Sequence, residues 1–200
     1  MTVEFSNNSV VLRGKIVNGL TKTFSSFNEN YYEGTLAVKR FSGKDDLIPI
    51  TINEKLLKDD FNEENEYTFV GQLRSFNKVE NNKNKLFINF FVKELSKEDV
   101  ENPNVVEMVG FICKEPQFRV TPLKREICDF LIAVNREFNK SDYLPCIAWE
   151  RNARFIKGLR IGQKIHIVGR IQSREYEKTV NNEKISQVAY EISITKVETI

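Results

Sequence analysis

The stretch Tyr143-Leu144-Pro145-Cys146-Ile147-Ala148-Trp149, followed directly by Glu150 to Leu159, decides how this chain is read. Side chains of an extended segment alternate between two faces, so 143, 145, 147 and 149 share one and Leu144, Cys146 and Ala148 the other. The small apolar set suits a barrel interior, which sends Tyr143 and Trp149 outward. The residues after Trp149 read as a short helix ended by Gly158 or Gly162.

Working outward, the pattern is mostly of period two. Ile165, Ile167, Gly169 and Ile171 lie on one face, with His166, Val168, Arg170, Gln172 and Arg174 on the other. Val10–Leu12, Thr35–Val38, Leu47–Ile52 and Leu86–Val92 also read as strands, rich in β-branched and aromatic residues.

A shift of 96 brings the chain onto itself: Val10 meets Val106, Gly14 meets Gly110 and Ile16 meets Ile112. Ala37-Val38 meets Ala133-Val134, Arg40 meets Arg136, Asp46 meets Asp142, and Pro49 meets Pro145. The offset becomes 98 at Val70-Gly71 and Ser75, matching Val168-Gly169 and Ser173, and 100 at Asn81-Asn82, matching Asn181-Asn182. A collinear series that drifts only at polar stretches predicts one fold used twice, with insertions in loops. The polar segment 96–104, carrying Pro103, separates the copies into domains 1–98 and 103–200. Each copy reads as three strands, one short helix (Glu54 to Phe61 in the first, Glu150 to Leu159 in the second) and two strands. The expected class is all-β: two tandem OB-fold barrels, each a five-stranded Greek key with one short helix.

Composition narrows the function. Of 200 residues, 40% are hydrophobic and 29% charged, ordinary for a folded soluble chain. No run approaches the roughly 18 apolar residues of a membrane span, and Met1 to Ser6 has neither the basic nor the apolar region of a secretory signal. Three cysteines, Cys113, Cys128 and Cys146, suit a reduced, cytoplasmic setting. With no Cys-x-x-Cys and one histidine, no metal or cofactor is expected. A catalytic triad would need His166, which reads as a strand histidine on a solvated face, and no glycine-rich phosphate loop occurs. The acidic pairs Asp45-Asp46, Asp59-Asp60 and Glu63-Glu64 read as solvated turns. An enzyme is not expected.

The net charge of +2 hides an asymmetry. Residues 1–100 carry 14 basic and 15 acidic residues, and residues 101–200 carry 16 and 13. Within 151–178 stand Arg151, Arg154, Lys157, Arg160, Lys164, Arg170, Arg174 and Lys178 against only Glu175 and Glu177. Tyr176 shares the parity of Arg170 and Arg174, and Phe138 follows Arg136. Exposed rings interleaved with arginines suit single-stranded nucleic acid, whose bases stack while cations track phosphates. The same rings could close a domain or subunit contact.

The second copy resembles the bacterial single-stranded-DNA-binding protein family along essentially its whole length. The matching segments are Val105–Gly110, Phe118–Pro122, Phe130–Phe138, Tyr143–Trp149 and Gly169–Tyr176. The resemblance implies an OB barrel that binds single-stranded DNA with little sequence preference, supporting replication, recombination or repair, in a bacterial cytoplasm near the nucleoid. It implies that Phe138, Tyr143, Trp149 and Tyr176 stack on bases, that Arg151 and Arg174 contact phosphates, and that Arg136 and Arg170 belong to the same surface. Lys157 is a weaker candidate. In the first copy, Leu47, Asn53 and Lys78 replace Tyr143, Trp149 and Tyr176. Phe41 and Phe76 lie nearby as weaker candidates, so this copy is expected to be degenerate, structural or a weak DNA surface.

The resemblance further implies four associated barrels, which a two-barrel chain reaches as a homodimer. Members that recruit replication proteins end in an acidic tip, whereas this sequence ends Ile194-Thr195-Lys196-Val197-Glu198-Thr199-Ile200. That departure leaves open a primosome-like or mobile-element accessory scaffold, and, since OB barrels bind both nucleic acids, a single-stranded RNA-binding OB protein is a further reading.

Overall fold

A computed structural model describes residues 7–40, 42–80, 83–137, 139–180 and 183–200. The first half contains β1 (Asn8–Ser26), β2 (Glu29–Lys39), β3 (Asp45–Asn53), β4 (Glu66–Glu80) and β5 (Lys83–Ser96). The second contains β6 (Asn104–Ile112), β7 (Gln117–Val120), β8 (Glu126–Arg136), β9 (Lys140–Trp149), the helix α1 (Glu150–Lys157), β10 (Lys164–Val180) and β11 (Glu183–Thr199).

The fold is mostly β. In the second half β6 pairs with β8, β8 with β9, β9 in parallel with β11, β11 with β10, and β10 returns to β6. That closes a five-stranded barrel, with β7 added at the edge of β8. The first half repeats the circuit: β1–β2, β2–β3, β3 parallel to β5, β5–β4 and β4–β1. Closure removes the exposed edges that an open sheet of this size would carry.

Alternation builds the cores. Leu144, Cys146 and Ala148 are buried, as the period-two reading requires, together with Met108, Ile132, Ile165 and Ile167. Leu12, Leu36, Ile50, Phe69, Leu73 and Phe90 fill the first interior. Ladders bulge at Val70/Gly71 and at Val168/Gly169, the matched pair of the repeat. At these glycines a Cβ would overlap the carbonyl oxygens of Phe91 and Ser193, so the close strand approach requires glycine.

The two helices differ. α1 ends at Gly158, within the range expected from sequence. In place of the expected helix from Glu54 to Phe61, the first half has a single 3-10 turn, Glu54–Leu56. Asn53 caps only the Lys55 N–H, and the Asp-, Asn-containing run that follows has poor helix propensity. Phe61 instead turns its ring onto Tyr67, with centroids 5.1 Å apart.

β1 and β6 join the halves in antiparallel register, and the repeat-related residues Val10 and Val106 face each other at its centre. The joint is therefore two-fold in pattern, like the self-complementary contact of a symmetric dimer. Asn8 exchanges two hydrogen bonds with the backbone of Leu73, and Asn104 does the same with Ile171.

A second set of contacts crosses between the halves. Asp46 is fully buried, which corrects the solvated-turn reading. Its carboxylate accepts from Arg40, from the Ser173 N–H at 2.6 Å and from the Ser173 hydroxyl at 3.1 Å. In the mirrored set, Asp142 accepts from the Ser75 N–H at 2.7 Å, and the Ser75 hydroxyl oxygen accepts from the Tyr143 N–H at 2.6 Å. Arg136 approaches Asp142 less closely, at 3.7 Å. Arg40/Arg136, Asp46/Asp142 and Ser75/Ser173 were all paired by the repeat, and each half's aspartate holds the other half's serine.

His166 also has distinctive neighbours, contrary to the sequence reading. Its Nδ1 lies 2.8 Å from Glu198 and its Nε2 2.8 Å from Glu107, tying β10 to β11 and β6. The Glu198 bond raises the imidazole pKa, partial burial opposes it, and the Glu107 bond adds to the rise. A raised histidine contributes stability that is fully present below its unfolded pKa and lost as pH climbs through the folded one. Glu198, held below the usual carboxylate range chiefly by His166, contributes above its own unfolded pKa. The clamp is thus strongest between about pH 4.3 and 6.5, the two unfolded values. The melting-temperature gap between wild type and His166→Gln is expected to be widest there and to shrink as pH climbs through the raised imidazole pKa. A gap that is flat across this range would show that the clamp carries no charge.

Candidate nucleic-acid interface

β9 delivers two of the predicted rings. Tyr143, just after the buried Asp142, is 43% exposed on the outer barrel wall. Trp149 stands at the N-cap of α1 and is half-buried, with the Arg125 guanidinium 5.2 Å from its ring centroid. Ile147, on the same parity, is buried, so this outer wall is partly covered. β10 carries the third ring: Tyr176 is half-buried, donates its hydroxyl to Gln187 at 2.9 Å, and has Arg174 5.8 Å from its centroid.

The predicted cations fall into three kinds. Arg136 is engaged with Asp142 at the joint. Arg174 is exposed but lies 3.7 Å from Glu191, and Arg170 is half-exposed on the same face of β10. Arg151 is exposed on the first turn of α1, whereas Lys157 covers the Phe118 ring at 4.4 Å. Phe41 and Phe138 lie outside the described residues. Two of the described rings are thus flanked by an arginine: Trp149 by Arg125 and Tyr176 by Arg174. Arg125 was not singled out from sequence because its partner ring lies across the β8–β9 pairing.

The first half holds more aromatic surface than its sequence suggested. Phe24 stacks on Tyr31 with centroids 4.8 Å apart and planes within 10°, and Tyr31 meets Phe91 at 6.0 Å. Phe76 stacks on Phe87 at 5.5 Å. Arg74 lies 3.5 Å over Phe91, and Lys85 and Lys78 lie 5.3 and 6.0 Å from Phe87. The buried Arg74 Nε has no hydrogen-bond partner among the described residues. Burial, then the like charge of Arg136, pulls the Arg74 pKa below its ordinary value. A signal was available in sequence: 13 of the chain's 22 Phe, Tyr and Trp residues lie in residues 1–100.

Among the described residues no cluster of His, Cys, Asp and Glu is placed to hold a metal ion. Burial raises the Cys128 thiol to about 11 and Cys146 well above its ordinary value, so neither is a thiolate near neutral pH.

The second half is thus a closed five-stranded barrel of the OB class, with Tyr143, Trp149 and Tyr176 on its outer wall. Residues 103–200 match the model of the Single-strand binding protein family. Single-stranded DNA-binding protein A of Bacillus subtilis is 35% identical over 81 residues, covering 37% of this chain and 47% of the relative. Single-stranded DNA-binding protein 1 of Lactococcus lactis is 36% identical over 81 residues, covering 37% of this chain and 54% of the relative. The chain therefore spans about half the length of these curated relatives. Among solved structures, the wild-type single-stranded DNA binding protein from Thermus aquaticus superposes with a TM-score of 0.71 at 17% identity. That match covers 96% of this chain and 92% of the other, a likeness of fold.

Proposed function

We propose that the chain is a tandem of two OB-fold barrels, residues 1–98 and 103–200, that binds single-stranded DNA without catalysing a reaction. Bases stack on Tyr143, Trp149 and Tyr176, with Phe138 as a further ring, while Arg136, Arg151, Arg170 and Arg174 neutralise phosphates. The observation that carries this reading is the arginine beside two of the described rings: Arg125 5.2 Å from Trp149 and Arg174 5.8 Å from Tyr176. Stacking is tolerant of sequence because every base has a π-face, so little sequence preference is expected. The names of the curated relatives and the strand circuit support the same function. Two chains associate to give four barrels.

Trp149 is the sole tryptophan, and its fluorescence tests the reading directly. Oligo-dT is expected to quench it, and binding is expected to weaken steeply with salt as condensed counterions are released. Absence of quenching and of binding at low salt would overturn the proposal. Tighter binding of oligo-U than of matched oligo-dT would assign the chain to RNA. Light scattering on the same sample is expected to give twice the 23.3 kDa chain mass, and a monomer mass at micromolar concentration would remove the homodimer.

A further inference from the structure

We propose that the first half carries its own single-strand track, made from rings that have moved to neighbouring positions on the barrel wall. This rests on reading the chain as a single-strand-binding protein.

The cross-strand pairs show the displacement. In the second half Ile127 pairs with Trp149, and the repeat-related pair in the first half is Tyr31 with Asn53. The ring has crossed to the partner strand, so a ring still covers that stretch of wall. In the second half Tyr176 pairs with Gln187, and its counterpart is Lys78 with Lys85. Here the ring and cation have traded places along the hairpin, because the next outward pair, Phe76 with Phe87, supplies two stacked rings. Matching single positions between the copies loses these rings; matching faces recovers them.

The outer wall of β4 and β5 then reads as a ladder. Gln72 pairs with Phe91, Arg74 with Asn89, Phe76 with Phe87, and Lys78 with Lys85, all of one parity and all opposite the buried Leu73, Ile88 and Phe90. Phe76 is 52% exposed, and Phe24, stacked on Tyr31, is 45% exposed. Cations therefore sit among the rings. Arg74 over Phe91, with Lys78 and Lys85 near Phe87, supplies the positive charge that a phosphate backbone requires. A protein partner fits poorly, since lysine is depleted at the centre of protein–protein contacts. Continuity fixes the occupant: Ser75, between Arg74 and Phe76, accepts the N–H of Tyr143. The ladder thus abuts the second half's ring surface, and one strand of nucleic acid can pass from one to the other.

The test uses the full chain and a labelled dT oligomer of about 30 nucleotides, enough for two barrels at up to about 16 nucleotides each. The variant Tyr31→Ala/Phe87→Ala is expected to bind it more weakly by about 5- to 150-fold per ring lost, with a shorter occluded length. A variant that binds as tightly as wild type over the same length overturns the track and leaves the second-half site standing. Failure of wild type to bind at all overturns the underlying function instead. Because these substitutions remove packed rings, unaltered protein is also cross-linked to an oligomer carrying 5-iodouracil. Adducts on peptides spanning residues 24–31 or 74–91 are expected, and adducts confined to residues 103–200 refute the track.

Discussion

Replacing Asp46 by alanine is expected to destabilise the chain by about 3–5 kcal/mol, the usual effect of breaking a buried ion pair from one side. The carboxylate has no exposure to water and is the shared acceptor for Arg40 and for both donors of Ser173. Its loss leaves a guanidinium that is only 22% exposed with the Ser173 carbonyl oxygen but no counter-charge, and strands a backbone N–H on the opposite half. Urea unfolding reads the effect as a lower midpoint. It also reads the coupling: wild type is expected to unfold in one transition, and Asp46→Ala in two, as the halves separate energetically. Asp46→Asn keeps an acceptor for Ser173 and should recover part of the loss. Asp142→Ala should have a smaller effect, because Arg136 stands off at 3.7 Å. A change below about 1 kcal/mol for Asp46→Ala, the level of an exposed pair, would show that the joint does not couple the halves.

The largest expected effect on binding comes from removing three rings together. Tyr143→Ala/Trp149→Ala/Tyr176→Ala should lose on the order of 3–9 kcal/mol against oligo-dT, from about 1–3 kcal/mol per stacked base. The rings occupy separate positions on β9 and β10, so their contributions should be roughly additive. Labelled-oligomer anisotropy is the readout, since the tryptophan is gone. The dependence of log K on log salt should keep its slope, about −0.7 per phosphate contacted on a single strand, while affinity falls throughout. Arg174→Ala should do the reverse, flattening the slope with a smaller loss. Trp149→Leu, which preserves bulk at the start of α1, separates lost stacking from lost packing. Affinity within twofold of wild type for the triple variant would mean that these rings do not meet bases.

Much of the fold could be read from the chain because its signals are local. Alternation placed Leu144, Cys146 and Ala148 inside and Tyr143 outside, and Gly158 marked the end of α1. What escaped was set by distant partners. Nothing near Asp46 announces a buried carboxylate, because half of its donors belong to Ser173, 127 residues further on. His166 looked solvated because Glu107 and Glu198 reach it from other strands. The aromatic face of the first half was missed for a different reason. Sequence comparison asks what stands at a matched position, whereas a barrel wall fixes only what covers a patch. A ring on β2 at Tyr31 covers ground that a ring on β9 covers at Trp149, although the two positions do not align.

The two-fold joint also has a consequence for how this protein can change. In a dimer of identical chains one gene writes both sides, so any improvement to one contact is forced on its mirror image. Here the mirror image has its own codons. Arg40 holds its aspartate closely while Arg136 stands 3.7 Å from its own, and the rings occupy different positions on the two walls. With its two sides written separately, one contact of the joint can be strengthened or loosened without altering its mirror image.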